Sequence, residues 1–276
     1  TAETALRLAE EGQPDIVLKL PATQKIPANG VLDYRHIEVR AGNTNEGWVG
    51  AIWVKPGNRK VVHHIIARLK NGGKKDHLGE REMYVGWAPG SSQGWFPKAS
   101  GKPLPAGAVF DLELHYTTNG SEQTDDSEIG LYRNREPVQQ RYESVPVVNS
   151  QFEIKAGDPD SQAEGMFCFK KPALLHSVTP HMHLRGRWMK FEILFPDGRR
   201  ETVCSVPRYD FNWQITYVLT KPIKLPAGTW VRLSGGYDNS ARNPANPDPE
   251  RTIHWGEQSW DEMFLGWYNV TWDLTA

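Results

Sequence analysis

Residues 104–119 read LPAGAVFDLELHYTTN, and residues 225–239 read LPAGTWVRLSGGYDN. Each opens with the same Leu-Pro-Ala-Gly turn and runs on into β-branched and aromatic residues, so each predicts a turn feeding a strand. A weaker echo lies downstream, IGLYR around Gly130 against LGWYN around Gly266. Two echoes in the same order describe a chain made of two copies of one β unit. The boundary is expected near VPVVNSQ, residues 145–151. That gives a linker with a short helix at 1–14, a first sandwich at 15–148 and a second at 149–276.

The surrounding sequence has the same character. VLDYRHIEVR (31–40), GWVGAIWVKPGN (47–58) and KVVHHIIARL (60–69) in the first half are strand-like runs separated by turn clusters. WMKFEILFPDGRR (188–200), ETVCSV (201–206) and WQITYVL (213–219) repeat the style in the second. With 20 Pro and 25 Gly, the chain favours short strands and many turns over long helices. The fold expected is all-β, two antiparallel β-sandwich domains, each burying one face of its alternating strands. One large sandwich or barrel is the competing architecture.

Composition narrows the partners. The 32 basic and 33 acidic residues leave a net charge of -1 and no electrostatic reason to expect nucleic acid or an anionic membrane. No apolar run reaches the length of a membrane-spanning helix, and the first residues carry no basic-then-apolar leader. The two cysteines, Cys168 and Cys204, are too few for a disulfide scaffold; they form one bridge or stay as thiols. A small ligand is the expectation.

Histidine position carries the chemistry. Five of the nine histidines fall in three segments: His63 and His64 in VVHHIIA, His115 in LELHYTT, His181 and His183 in PHMHLRG. His181 and His183 flank Met182; in an extended strand alternate residues share a face, so the two rings project side by side, a metal-binding posture. Adjacent His63 and His64 would face opposite ways in a regular strand, so for both to reach one ion the backbone must turn or bulge there, or the rings must bind through different reaches of their side chains. The second half needs a third ligand, and IHWGEQSWDEMFLGW offers His254, Glu257, Asp261, Glu262 and Met263. A histidine or carboxylate would suit zinc or non-haem iron, and the thioether of Met263 would favour Cu(I). His36 and His77 are expected to face solvent, and His176 and His254 to serve structure.

Taken in order, the HH pair, the LELHY histidine, HMHLRG and DEM resemble the type II copper, ascorbate-dependent monooxygenases, the group of peptidylglycine α-hydroxylating and dopamine β-monooxygenases. The resemblance covers nearly the whole chain after residue 15. It implies two jelly-roll-like domains with one copper each: His63, His64 and His115 for the first ion, His181, His183 and Met263 for the second. The family's first copper stores and passes an electron; its second, the catalytic centre, binds O2 and cleaves a substrate C–H bond, with ascorbate or another reductant as donor. The implied partners are O2 and a small organic substrate. Peptide-amidating members carry an arginine where this chain has Thr179, a cysteine at Phe264, and an asparagine and a tyrosine at Leu265 and Trp267, which argues against a peptidylglycine substrate. PHMHLRG with WDEM looks more like bacterial members, which are often fused to haem or thioredoxin-like modules and exported, implying a periplasmic or extracellular location.

Other chemistries fit less well. A cupin-type iron site needs a glutamate soon after its HxH pair, and the next one here is Glu192. No nucleophile elbow or Cys–His pairing supports hydrolysis. A copper carrier, sensor or electron-transfer module built from the same six side chains is the remaining alternative.

Overall fold

The structure is a computed structural model and describes residues 12–71, 75, 82–89 and 94–274. The short helix expected at the start and His77 lie outside the described residues. The chain divides into two compact units between Ser144 and Val145, where the sequence reading placed the break between 148 and 149.

The first unit holds β1 (Ile16–Lys19), β2 (Gln24–Ile26), β3 (Arg35–Arg40), β4 (Gly47–Lys55), β5 (Val62–Leu69) and β6 (Met83–Trp87). It continues with β7 (Ser100–Leu104), β8 (Val109–Tyr116), β9 (Gln123–Asp125), β10 (Glu128–Arg133) and the start of β11 (Gln140–Val148). One sheet runs β1-β10-β4-β7-β11, a second β3-β8-β5-β6, and β2 pairs with β9. Pairing is antiparallel except where Gln140 and Arg141 of β11 lie parallel to Ser100 and Gly101 of β7. The second unit takes over the end of β11 and adds β12 (Ser161–Phe169), β13 (Ala173–His181), β14 (Gly186–Leu194), β15 (Arg200–Val206), β16 (Tyr217–Leu225), β17 (Thr229–Tyr237) and β18 (Leu265–Asp273). Its sheets are β11-β18-β13-β16 and β12-β17-β14-β15. Both units are β-sandwiches, and the described residues contain no helix long and apolar enough to cross a membrane.

The two units share a strand order. In the first, β8 lies between β3 and the β5–β6 hairpin; in the second, β17 lies between β12 and the β14–β15 hairpin. The opposing sheets match as well, β10-β4-β7 against β18-β13-β16. Both sequence echoes therefore fall on equivalent strands, LPAG leading into β8 and β17, IGLYR and LGWYN lying on β10 and β18. The shared turn has a backbone cause: Gly107 at φ 60° and Gly228 at φ 85° occupy the left-handed region that glycine enters without a Cβ clash.

Each unit closes on its own core. Ile65, Ala67, Phe110, Leu112 and Leu114 point inward from β5 and β8 and pack with Val49, Val54, Ile129 and Leu131. In the second unit Met189, Phe191, Ile193, Val231 and Leu233 meet Leu175, Val178, Tyr268 and Val270. Burying each such side chain contributes roughly 1.5–3 kcal/mol, so these inward rows dominate stability. Because the inward rows are apolar, polar and metal-binding groups are left to the outer faces and strand ends. Cys168 and Cys204 are unpaired. They sit on β12 and β15, the opposite edges of a four-stranded sheet, about 14 Å apart at ordinary strand spacing and beyond disulfide reach.

Candidate metal centres

The first centre is made by a β-bulge. Val62 and Ile65 are both buried, at 2% and 0% exposure. Their spacing of three breaks the period of two, so one residue must be extra. The register shows it: Val62 pairs with Tyr116 and His64 with His115, which leaves His63 without an opposite number. The bulge turns His63 toward the side of His64, and His115 faces them from β8, whose alternate residues Leu114 and Tyr116 point into the core.

The three rings converge. A nitrogen from each of His63, His64 and His115 lies within 4.8 Å of the others. His63 Nδ1 and His64 Nδ1 are 3.4 Å apart, and the His115 ring lies 5.0 Å from each of the other two. His115 is 5% exposed, and its Nδ1 has no hydrogen-bond partner. Burial, reinforced by the neighbouring His64 and His63 charges, pushes its pKa down to about 3. A buried imidazole that stays neutral and has a nitrogen without a protein partner is well suited to donate that nitrogen to a ligand.

Two other groups frame this centre. Tyr34 sets its ring edge against His115 at 4.5 Å and against His64 at 5.2 Å. Glu113, on the same face of β8 as His115, brings Oε1 to 3.5 Å from His64 Nε2, within ion-pair range but too poorly aligned for a hydrogen bond. Burial acts to raise the Glu113 carboxyl, yet His64 and the Arg68 guanidinium, 2.6 Å from Oε2, hold it down to about 2. An ionised carboxylate behind an imidazole steadies its orientation and its basicity.

The second centre lies at a strand end. His181 closes β13, and His183 lies just beyond it, so the two are not successive outward positions of one strand as expected. Met182 between them is fully buried in the core, and the imidazoles come to 5.2 Å with planes at 89°. Tyr209 fixes the intervening backbone: its hydroxyl accepts from Met182 N at 3.0 Å and donates to Met182 O at 2.7 Å.

Hydrogen bonds choose the tautomers. His181 Nδ1 lies 2.5 Å from Gln214 Oε1, while the Gln214 amide nitrogen donates to Phe211 O at 2.9 Å. With Oε1 able only to accept, the proton sits on His181 Nδ1 and the lone pair on Nε2. His183 Nδ1 faces the carbonyl of Asp261 at 3.4 Å, which assigns its tautomer the same way. Histidine ligands commonly donate their second nitrogen to a carbonyl in this manner.

Met263 is half-buried and stands one residue after Glu262 and two before Leu265, the two groups that tie its segment to the histidines. Leu265 pairs with His181 across β18 and β13. Glu262, fully buried, accepts from His183 N at 2.8 Å and Arg185 N at 2.6 Å. Burial acts to raise the Glu262 pKa while those N–H groups and Arg185 pull it down, and with both oxygens accepting from backbone N–H groups the geometry is that of the ionised carboxylate. Arg185, also buried, donates to Asn239 Oδ1 and Trp260 O. Tyr237 donates to the Met263 carbonyl at 2.8 Å.

The repeat does not carry the first centre into the second unit. Gly236 occupies the place of His115, and a Cβ there would come within 2.2 Å of Trp188 Nε1, so an indole fills that space. Of the remaining sequence candidates, His254 and Glu257 are exposed, His36 is 55% exposed beside Asp111, and His176 bonds Thr271. Trp87 and Tyr268 are core residues, while Trp267 lies 6.0 Å from the His181 ring. Gln214, Tyr209, Tyr34, Glu113 and Arg185 escaped sequence reasoning; only the HMHLRG stretch itself pointed at the last.

Fold and site together describe a two-sandwich all-β protein with one three-imidazole cluster and a second pair of imidazoles beside a methionine segment. No family model and no curated relative matches the sequence. Among solved structures, PNGF-II is 10% identical with a TM-score of 0.40, over 94% of this chain and 65% of its own. The chain thus spans less than two thirds of PNGF-II. The major capsid protein P2 from Bacteriophage PM2 is 8% identical with a TM-score of 0.36, over 94% and 98%. An allantoicase is 9% identical with a TM-score of 0.24, over 78% and 79%. At these values the chemistry of those proteins has no bearing on this chain.

Proposed function

We propose that this chain is a copper monooxygenase of the ascorbate-dependent type, hydroxylating a C–H bond of a small organic substrate outside the cytoplasm. One observation carries the reading: the bulge at His63 gathers three imidazoles around one point, and one of them holds a buried, unpartnered nitrogen. Three imidazoles suit copper among other borderline metals. The second donor set would support copper more narrowly, because Met263 follows the carboxylate that holds His183 N, and a thioether joined to two imidazoles favours Cu(I) over zinc or iron.

His63, His64 and His115 would hold one ion, and His181, His183 and Met263 the other. Copper would supply one-electron redox chemistry: two electrons from ascorbate and two protons, with O2 and a C–H bond, give a hydroxyl and water. The protein's part is to keep donors ready. Gln214 and the Asp261 carbonyl hold the protons of His181 and His183 on Nδ1, which presents Nε2 lone pairs. Glu113 backs His64, and burial keeps His115 uncharged.

The test is a titration of metal-free protein with copper sulfate, followed by ascorbate-driven O2 uptake over a panel of small organic compounds with ¹⁸O2. Two ions per chain are expected, one lost in His115→Ala and one in His183→Ala, with ¹⁸O in a hydroxylated product. Copper bound at both centres with no uptake above that of free copper would make the chain a carrier or electron-transfer module. No specific copper binding would refute the reading outright.

A further inference from the structure

We infer that Glu262 is a positioning residue that couples the His183 turn to Met263, so that one buried carboxylate brings the two ligands together. The inference rests on the copper reading of the second centre and assigns a device within it.

Beyond the end of β13 the chain turns back, with Gly186 N donating to His183 O at 3.2 Å. The N–H groups of His183 and Arg185 have left the strand ladder, and they need acceptors in a place that water does not reach. Both point at one side chain 77 to 79 residues away in sequence, and its two oxygens divide the work: Oε2 for His183, Oε1 for Arg185. A carboxylate is the side chain able to accept at two oxygens without presenting a donor. Met263 follows Glu262 directly, one peptide unit or about 3.8 Å between Cα atoms, so the anchor of His183 is also the anchor of Met263. Tyr237 holds the far side of that step through the Met263 carbonyl. Arg185 supplies the counter-charge and ties the arrangement to Asn239 and Trp260.

The coupling has a consequence that bulk stability lacks. If Glu262 acts by placing the thioether, its removal should matter only when the thioether is there. The probe is Cu(I) alone, measured by competition with a chromogenic chelator in a full-length His63→Ala, His115→Ala background that silences the first centre. Glu262→Gln replaces one acceptor by an NH2 that opposes a backbone N–H, and should weaken Cu(I) binding about 10- to 100-fold. Glu262→Asp keeps the charge but shortens the reach; it should lose affinity in the same direction with its fold intact, which covers the case in which the glutamine variant fails to fold. In a Met263→Ile background either change should cost no more than about twofold further. X-ray absorption should show a sulfur neighbour of copper in the parent and none in Glu262→Gln.

Sulfur scattering and affinity retained in both Glu262 variants would overturn the inference. So would an equal loss with and without Met263, which marks general destabilisation. If Met263→Ile and His183→Ala leave Cu(I) affinity unchanged, the copper reading of this centre falls, and the positioning role falls with it, an outcome recognisable by the absence of sulfur in the parent.

Discussion

Replacing Tyr209 by Phe deletes one oxygen and strands two backbone groups. The hydroxyl serves Met182 N and Met182 O together, at 3.0 and 2.7 Å, and Met182 is 0% exposed. Leaving a buried donor or acceptor without a partner costs about 1–3 kcal/mol, so two such groups put the loss at about 2–6 kcal/mol. The space vacated by one hydroxyl is too small to admit a water. Tyr268 is the internal comparison: its hydroxyl donates to Arg232 O at 2.8 Å, but Arg232 and Glu192 face each other across the β14–β17 ladder and keep that pairing without it. Tyr268→Phe should therefore cost only about 0.5–1.5 kcal/mol. Urea unfolding of the metal-free protein, followed by fluorescence, measures both. At roughly 4 °C per kcal/mol for a unit of this size, the first variant should melt about 8–24 °C low and the second about 2–6 °C low. Equal losses in the two variants would refute the reasoning, because they would show the Met182 backbone satisfied by some other route.

Gly266→Ala places a Cβ 2.8 and 2.9 Å from the fully buried Phe191 ring and 3.2 Å from Leu233, so unfolding in denaturant should show a loss of about 1–3 kcal/mol. Burial lowers the His176 pKa below its ordinary 6.5. Under those conditions the unfolded chain binds the proton more readily, so stability from this group is present above about pH 6.5 and lost as pH falls through the folded value. His176→Gln should flatten the pH dependence of unfolding in that window; an unchanged slope would contradict the assignment. Stripping copper from the loaded protein with a chelator should lower its melting temperature, each ion held at 100 times its Kd contributing about 2.7 kcal/mol. The shift should be smaller in His115→Ala, and calorimetry decides it.

How much of this was legible beforehand differs by feature, for physical reasons. Strand alternation is a local property, so the all-β architecture and the twofold repeat could be read from LPAG and its echoes. The bulge was legible in part: adjacent His63 and His64 can share an ion only through a bulge or through different reaches of their side chains, and the register settles which, leaving the residue between Val62 and His64 extra. The parallel contact of β11 with β7 was not, because nothing local in QRYES distinguishes parallel from antiparallel pairing. Gln214 and Glu262 act on histidines 33 and 79 residues away. No spacing rule reaches so far, and an acid in a turn-rich stretch reads as solvent-exposed until the structure shows Glu262 at 0% exposure. His181 and His183 do stand side by side, with ring centroids 5.2 Å apart, but not as successive strand positions: the strand ends at His181, and Glu262, not the ladder, holds the next turn.

Crystals of the copper-loaded chain, measured on both sides of the copper absorption edge, bear most directly on the central claim. Two anomalous peaks are expected, one enclosed by His63, His64 and His115 and the other by His181, His183 and Met263. A map with no peak at the three-histidine cluster, or with copper bound only elsewhere, would contradict the account.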